Sequence, residues 1–261
     1  MTDPIDATWL AGDAYDALRA TDFQLFCDAA QQDLAARVPT CPEWDVTALC
    51  DHLARVYQGR SHAIVNAEFL DSDEFVTRAD DDDPLDWVRR WSDTLDRSLL
   101  DRADDAPTVT FVPEATTVHF WRRRMALETL VHRTDAEIAV GDVTAMDDVL
   151  SADGIDELLW FFTHPENDGE EQTDGIAATS TVELSDGSRS WFVALADGTS
   201  SWSKKGASPD ATVRGSAPAL LLALSGRDLE GIGAARFGVA APAVEGDGAA
   251  YRRLLDRMGS F

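Results

Sequence analysis

Apolar residues recur at helical spacing through the first half of the chain and change to strand-like alternation in the second. Asp13 to Val38 is rich in helix formers with apolar residues on one side, which predicts a first helix ending before Pro39. In CPEWDVTALCDHLARVYQGR, Cys41 to Arg60, Asp45 is placed to cap a second helix, and Leu49, Leu53 and Val56 form an i, i+4, i+7 stripe. The acidic run Asp80 to Asp83 reads as a solvated loop, and Pro84 stands where a first helical residue belongs. Trp87, Trp91, Leu95 and Leu99 then mark a third helix. A fourth is expected from about Val118 to Val140, stopped by Gly141. Four amphipathic helices of these lengths make a four-helix bundle the economical packing.

Beyond about Asp147 to Ser151 the pattern changes. SADGIDELLWFF, Ser151 to Phe162, predicts a capped helix. STVELSDGSRSWFVAL and ADGTSSWS alternate in character and are punctuated by Asp186-Gly187 and Asp197-Gly198, which signal hairpins. Ala211 to Gly215 reads as a further short strand leading into a helix over Ser216 to Leu224, and Ala249 to Met258 as a last helix. The expectation is a mostly α chain of two domains: a four-helix bundle over 1–147 and a smaller α+β domain over 151–261.

Within helix four, Glu128 and His132 stand one turn apart. On a wheel of about 100° per residue they share a side with Trp121, Met125 and Asp135, while Arg123, Arg133 and Glu137 fall opposite. An exposed i, i+4 Glu–His pair would be ordinary, but this pair points toward the core. A buried carboxylate costs several kcal/mol unless it is paired or bound to a metal. The two side chains make a chelate in need of a third ligand. His52, at the edge of the second helix's apolar stripe, is the candidate, although a lone histidine there also suits a plain core position. His52, Glu128 and His132 together are a His2Glu set, the donor pattern of catalytic zinc with an open position.

Composition narrows the partners. The chain has 261 residues, 44% of them hydrophobic, with 22 basic against 48 acidic side chains and a net charge of -26. A field of that sign repels nucleic acid and anionic membrane, and both are set aside as partners. The longest apolar run, Ala217 to Leu224, is too short to span a bilayer. Met1-Thr-Asp-Pro begins without the features of a secretory leader. Cys27, Cys41 and Cys50 are odd in number and lack metal-knuckle spacing, so they read as reduced thiols of a cytoplasmic protein. His62, His119 and His164 are expected to be structural or on the surface, and Trp44 to plug the turn before helix two.

VPTCPEWDVTALCDHLARV and FWRRRMALETLVHRTDAE resemble segments of the mycothiol-dependent maleylpyruvate isomerase family, and SADGIDELLWFF and ATVRGSAPALLLALSGRD resemble segments of its second domain. The resemblance covers nearly the whole chain. It implies a DinB-like metal-binding bundle followed by an α+β domain. It also implies zinc held by His52, Glu128 and His132, and mycothiol as the thiol cofactor. The substrate would be a small anionic electrophile, isomerised or joined to the thiol. The reaction is not fixed by the resemblance.

An anionic substrate needs a cation, and arginine is the natural clamp. The resemblance implies that an arginine of the second domain fills this role; Arg214 and Arg227 both remain candidates. Arg124 either serves near the site or pairs with Asp135. Asp135 is a candidate to orient a ligand histidine, whereas Glu137 is expected to be a solvated helix charge. A metal-dependent hydrolase on the same bundle and a non-enzymatic ligand-binding or regulatory protein are the competing readings. A monomer or weak dimer is expected.

Overall fold

The computed structural model describes residues 9–141, 143–163, 180–196, 199–206 and 208–258. The chain divides into two compact units, Met1–Thr144 and Ala145–Phe261.

The first unit is built from α1 (Gly12–Ala30), α2 (Val46–Asn66), α3 (Pro84–Leu100) and α4 (Val118–Val140). The expected four-helix bundle is present. Two of its helix starts follow from local chemistry. Asp45 caps α2 by accepting from the Ala48 amide at 2.8 Å. Asp83 caps α3 by accepting from the amides of Leu85 and Asp86, with Pro84 as first residue. The α4 start follows an isolated bridge between Pro107 and Thr117. Gly141 ends α4 at φ 99°, a left-handed conformation that suits glycine.

α1 stops eight residues earlier than the sequence pattern suggests. The Asp33 carboxylate accepts from the Ala35 amide in a local turn, and Arg37 bridges Asp45. The Val46 and Thr47 amides donate to the carbonyls of Ala36 and Leu34. The segment after α1 thus satisfies its backbone against the start of α2 rather than by further helical turns.

α4 is the central helix. It packs against both α1 and α2, and α2 packs also against α3. Leu49, Leu53 and Tyr57 of α2 and Trp121, Met125 and Leu130 of α4 are buried. The side of α4 carrying Arg123, Arg133 and Glu137 is buried as well. Arg133 donates to Asp22 of α1 at 3.1 Å, to Glu137 at 2.7 Å and to the Thr144 carbonyl at 2.7 Å. Arg122 pairs with Asp16 and Asp104. Glu137 is therefore not a solvated charge; its carboxylate links Arg133 to the Thr144 amide.

The second unit begins with α5 (Asp148–Phe162), capped by Asp147 one turn before the expected Ser151. A five-stranded sheet follows: β1 (Ser180–Ser185), β2 (Ser190–Ala196), β3 (Thr199–Ser203), β4 (Ala211–Arg214) and β5 (Ala243–Gly246), in spatial order β3-β2-β1-β4-β5. β1 and β4 are parallel and the other pairs antiparallel. The β1–β2 hairpin turns at Asp186-Gly187, where Gly187 has φ 91° and Asp186 accepts from the Ser188 and Arg189 amides. β2 and β3 also pair antiparallel; their Asp197-Gly198 dipeptide lies outside the described residues, as does His164. α6 (Ala217–Leu224), buried throughout, and α7 (Gly248–Met258) complete the unit. Among the described residues no helix is long and apolar enough to cross a membrane.

Candidate metal centre

α2 and α4 are tied together at mid-height by a buried hydrogen bond, 2.6 Å, between the hydroxyls of Tyr57 and Thr129. Burial pushes the Tyr57 phenol up to about 12, so it stays neutral and serves as a fixed rivet. This register sets His52 of α2 opposite Glu128 and His132 of α4. The three residues that the sequence singles out are brought together, each offering one ligand atom within 4.8 Å of the others.

Glu128 divides its two oxygens. Oε1 faces His52 Nε2 at 3.4 Å and His132 Nε2 at 3.3 Å. Oε2 accepts from Arg124 one turn earlier. Arg124 thus pairs with Glu128. Asp135 takes the far side of the His132 ring, with Oδ2 2.9 Å from Nδ1. A proton on Nδ1 shared with that carboxylate leaves the Nε2 lone pair directed at Glu128. His52 is packed between two rings, with Trp44 and His132 both at a centroid distance of 4.8 Å.

This donor set fits a small divalent cation. Two neutral imidazole nitrogens and one carboxylate oxygen are zinc's preferred chemistry. Zinc bonds of about 2.0–2.1 Å in tetrahedral geometry place neighbouring donors about 3.3–3.4 Å apart. Two edges of the triangle, at 3.3 and 3.4 Å, have this length. As hydrogen bonds the same contacts would be long.

The electrostatics agree with a built polar site. Burial alone would raise the Glu128 carboxyl, but the Arg124 charge and the two imidazoles hold it well below the ordinary range. Burial alone would lower His132; the hydrogen bonds to Asp135 and Glu128 outweigh it and raise the ring to about 9. Without a cation the protein holds a proton at His132. With a metal, that charge is replaced.

One further residue of α2 has no signature of its own in the sequence. Arg60 lies two turns beyond His52 on the same side of α2. Its guanidinium carbon lies 5.0 Å from the Trp121 ring centre and 5.8 Å from that of Phe111. Its helical offset from His52 was the available signal; arginine at the end of an apolar stripe otherwise reads as surface.

The remaining candidates are spread more widely. His119 Nε2 donates to the Leu10 carbonyl at 2.8 Å, and the ring packs on Trp9 and Tyr15. His62 lies by Asn66 and Glu68. Cys27 and Cys50 are buried free thiols, and burial pushes Cys50 up to about 12, away from reactivity. Cys41, partly exposed, is also unbridged. In the second unit, Arg214 ends β4 with its side chain 54% exposed, 3.9 Å from Glu245. Arg227 is buried, donating to the Ser225 carbonyl.

Residues 17–137 match the family described as the mycothiol maleylpyruvate isomerase N-terminal domain. The whole chain is similar in fold to the crystal structure of the mycothiol-dependent maleylpyruvate isomerase. The TM-score is 0.60 at 13% identity, over 88% of this chain and 94% of that one. A point mutant of that enzyme superposes with a TM-score of 0.55 at 14% identity, over 87% of this chain and 92% of that one. Comparison with curated protein sequences gives no significant match. The N-terminal unit carries, over residues 17–137, the mycothiol maleylpyruvate isomerase N-terminal domain.

Proposed function

We propose that the chain is a zinc-dependent cytoplasmic enzyme of small-molecule metabolism. It uses a thiol cofactor such as mycothiol to isomerise an anionic electrophile or to transfer the thiol to it. The observation that carries this reading is the convergence of His52, Glu128 and His132 on one point, with two donor spacings of zinc-like length. The family match over residues 17–137 supports the thiol.

When bound, a divalent zinc supplies a Lewis acid that keeps a thiol ionised near neutral pH. The protein's own residues prepare that role. Asp135 holds the His132 tautomer and ring plane. Arg124 compensates the Glu128 charge without occupying Oε1. Trp44 covers one face of His52 and limits its rotation. A thiolate added to an activated double bond leaves a rotatable single bond. Elimination after rotation returns the thiol and the isomerised acid, and retention of the adduct is S-transfer. A substrate carboxylate must be held by a cation in a protein of net charge -26. Of the two C-terminal arginines, exposure favours Arg214, whereas burial ties Arg227 to its own unit.

The reading is tested by thermal shift with mycothiol. A ligand at a hundredfold excess over Kd stabilises by about 2.7 kcal/mol. Mycothiol should raise the melting temperature of the zinc-loaded protein and leave the His52→Ala variant unchanged. Equal shifts in both would overturn the zinc–thiol mechanism. A hydrolase would ignore the thiol in both.

A further inference from the structure

We propose that Arg60 is a substrate-binding residue, its guanidinium taking the carboxylate of a short unsaturated acid whose reactive carbon lies at the His52–Glu128–His132 site. The inference rests on the function proposed above and adds the group that grips the substrate within the first unit itself.

Arginine is seldom left as Arg60 is left here. Among the described residues it has no hydrogen bond and no ion pair, and its Nε is buried without a partner. Three buried arginines of the bundle are paired with carboxylates: Arg19 with Asp96, Arg122 with Asp16 and Asp104, Arg133 with Asp22 and Glu137. A buried donor without an acceptor is costly, and a guanidinium with no carboxylate partner in its own unit can take one from a ligand. Stacking on Trp121 and Phe111 offsets part of the cost and fixes the plane of the fork. Phe111 is itself 43% exposed, so the stack lies near the surface of the unit and not deep in the core.

The position suits an acid held beside the metal centre. His52, Val56 and Arg60 follow one another at i, i+4 and i+8 on α2, and all three are partly exposed beside buried Leu53 and Tyr57. Eight residues of helix span about 12 Å, and the Arg60 guanidinium lies over Trp121, two turns before Glu128 on α4. Burial lowers the Arg60 pKa; the Glu128 charge opposes that shift and the Arg124 charge adds to it. The Glu128 carboxylate is already committed to Arg124 and the two imidazoles. The carboxylate that answers Arg60 must then come from a ligand. Its fork offers two parallel donors, the geometry a carboxylate accepts best.

The test is calorimetric titration of maleate, and of its neutral diamide, into the protein as purified, without thiol. Maleate should bind at least tenfold more tightly than the diamide. The Arg60→Gln variant should lose at least tenfold in maleate affinity while affinity for the diamide stays the same. Arg60→Lys, which keeps charge but not the fork, should fall between them. Metal content and the mycothiol-dependent thermal shift should be those of the parent in both variants. Thus a failure of the zinc–thiol reading appears in those two measurements and a failure of Arg60 appears in the maleate series. Unchanged maleate affinity in folded Arg60→Gln would overturn the proposal. Should that variant fail to fold, equal affinity of the unmodified protein for maleate and diamide would overturn it as well.

Discussion

Asp135 Oδ2 lies 2.9 Å from His132 Nδ1, on the side of the ring opposite Glu128. A carboxylate behind a ligand imidazole fixes both its tautomer and its orientation, and losing such a partner typically weakens metal affinity by about 10–100-fold. Asp135→Asn keeps the shape and removes the charge. It should weaken zinc binding within that range while the fold is retained, as read by competition with a chromophoric chelator. An unchanged affinity would show that Asp135 does no more than pack.

The metal-free protein should show two pH limits. The folded pKa of His132, about 9, exceeds its ordinary value of 6.5. Its contribution to stability is fully present below about pH 6.5 and lost as pH rises through about 9. Glu128 is shifted the other way, so its contribution is present above about 4.5 and lost as pH falls through its depressed folded value. Urea melts of metal-stripped protein should give greatest stability between these limits. Metal must displace the His132 proton, so zinc affinity should rise by up to about tenfold per pH unit toward pH 9 and then level off. A flat profile between pH 7 and 9 would contradict the assignment.

The buried cluster on the opposite side of α4 is structural. Arg133 is 1% exposed and bridges Asp22, Glu137 and the Thr144 carbonyl. Arg133→Ala strands two buried carboxylates and should cost about 3–5 kcal/mol, measured by chemical denaturation. A loss below about 1 kcal/mol would mean that the pairs are dispensable.

Much of the first unit can be read from its residues, and the exceptions have physical causes. Asp45, Asp83 with Pro84, and Gly141 announce helix ends because each acts within one turn of itself. The end of α1 does not announce itself: Gln31 to Val38 are good helix formers, and what stops them is pairing with the segment from Trp44 to Thr47 that opens α2. The far side of α4 reads as solvated because it is charged; its burial depends on Asp22 and Asp16 of α1 arriving opposite. β5 lacks alternation because all four of its residues are exposed at the sheet's edge. Glu128 and His132 stand out by helical spacing alone, yet His52 joins them only through the α2–α4 register.

Metal content of the purified protein measures the central claim most directly. Desalted protein, expressed without an affinity column that carries metal, should contain about one equivalent of a divalent transition metal per chain, with zinc expected. His52→Ala, with the same fold by circular dichroism, should retain well under half of that after dialysis against chelator. Parent protein that returns no bound transition metal, and binds none when zinc is added, would contradict the account.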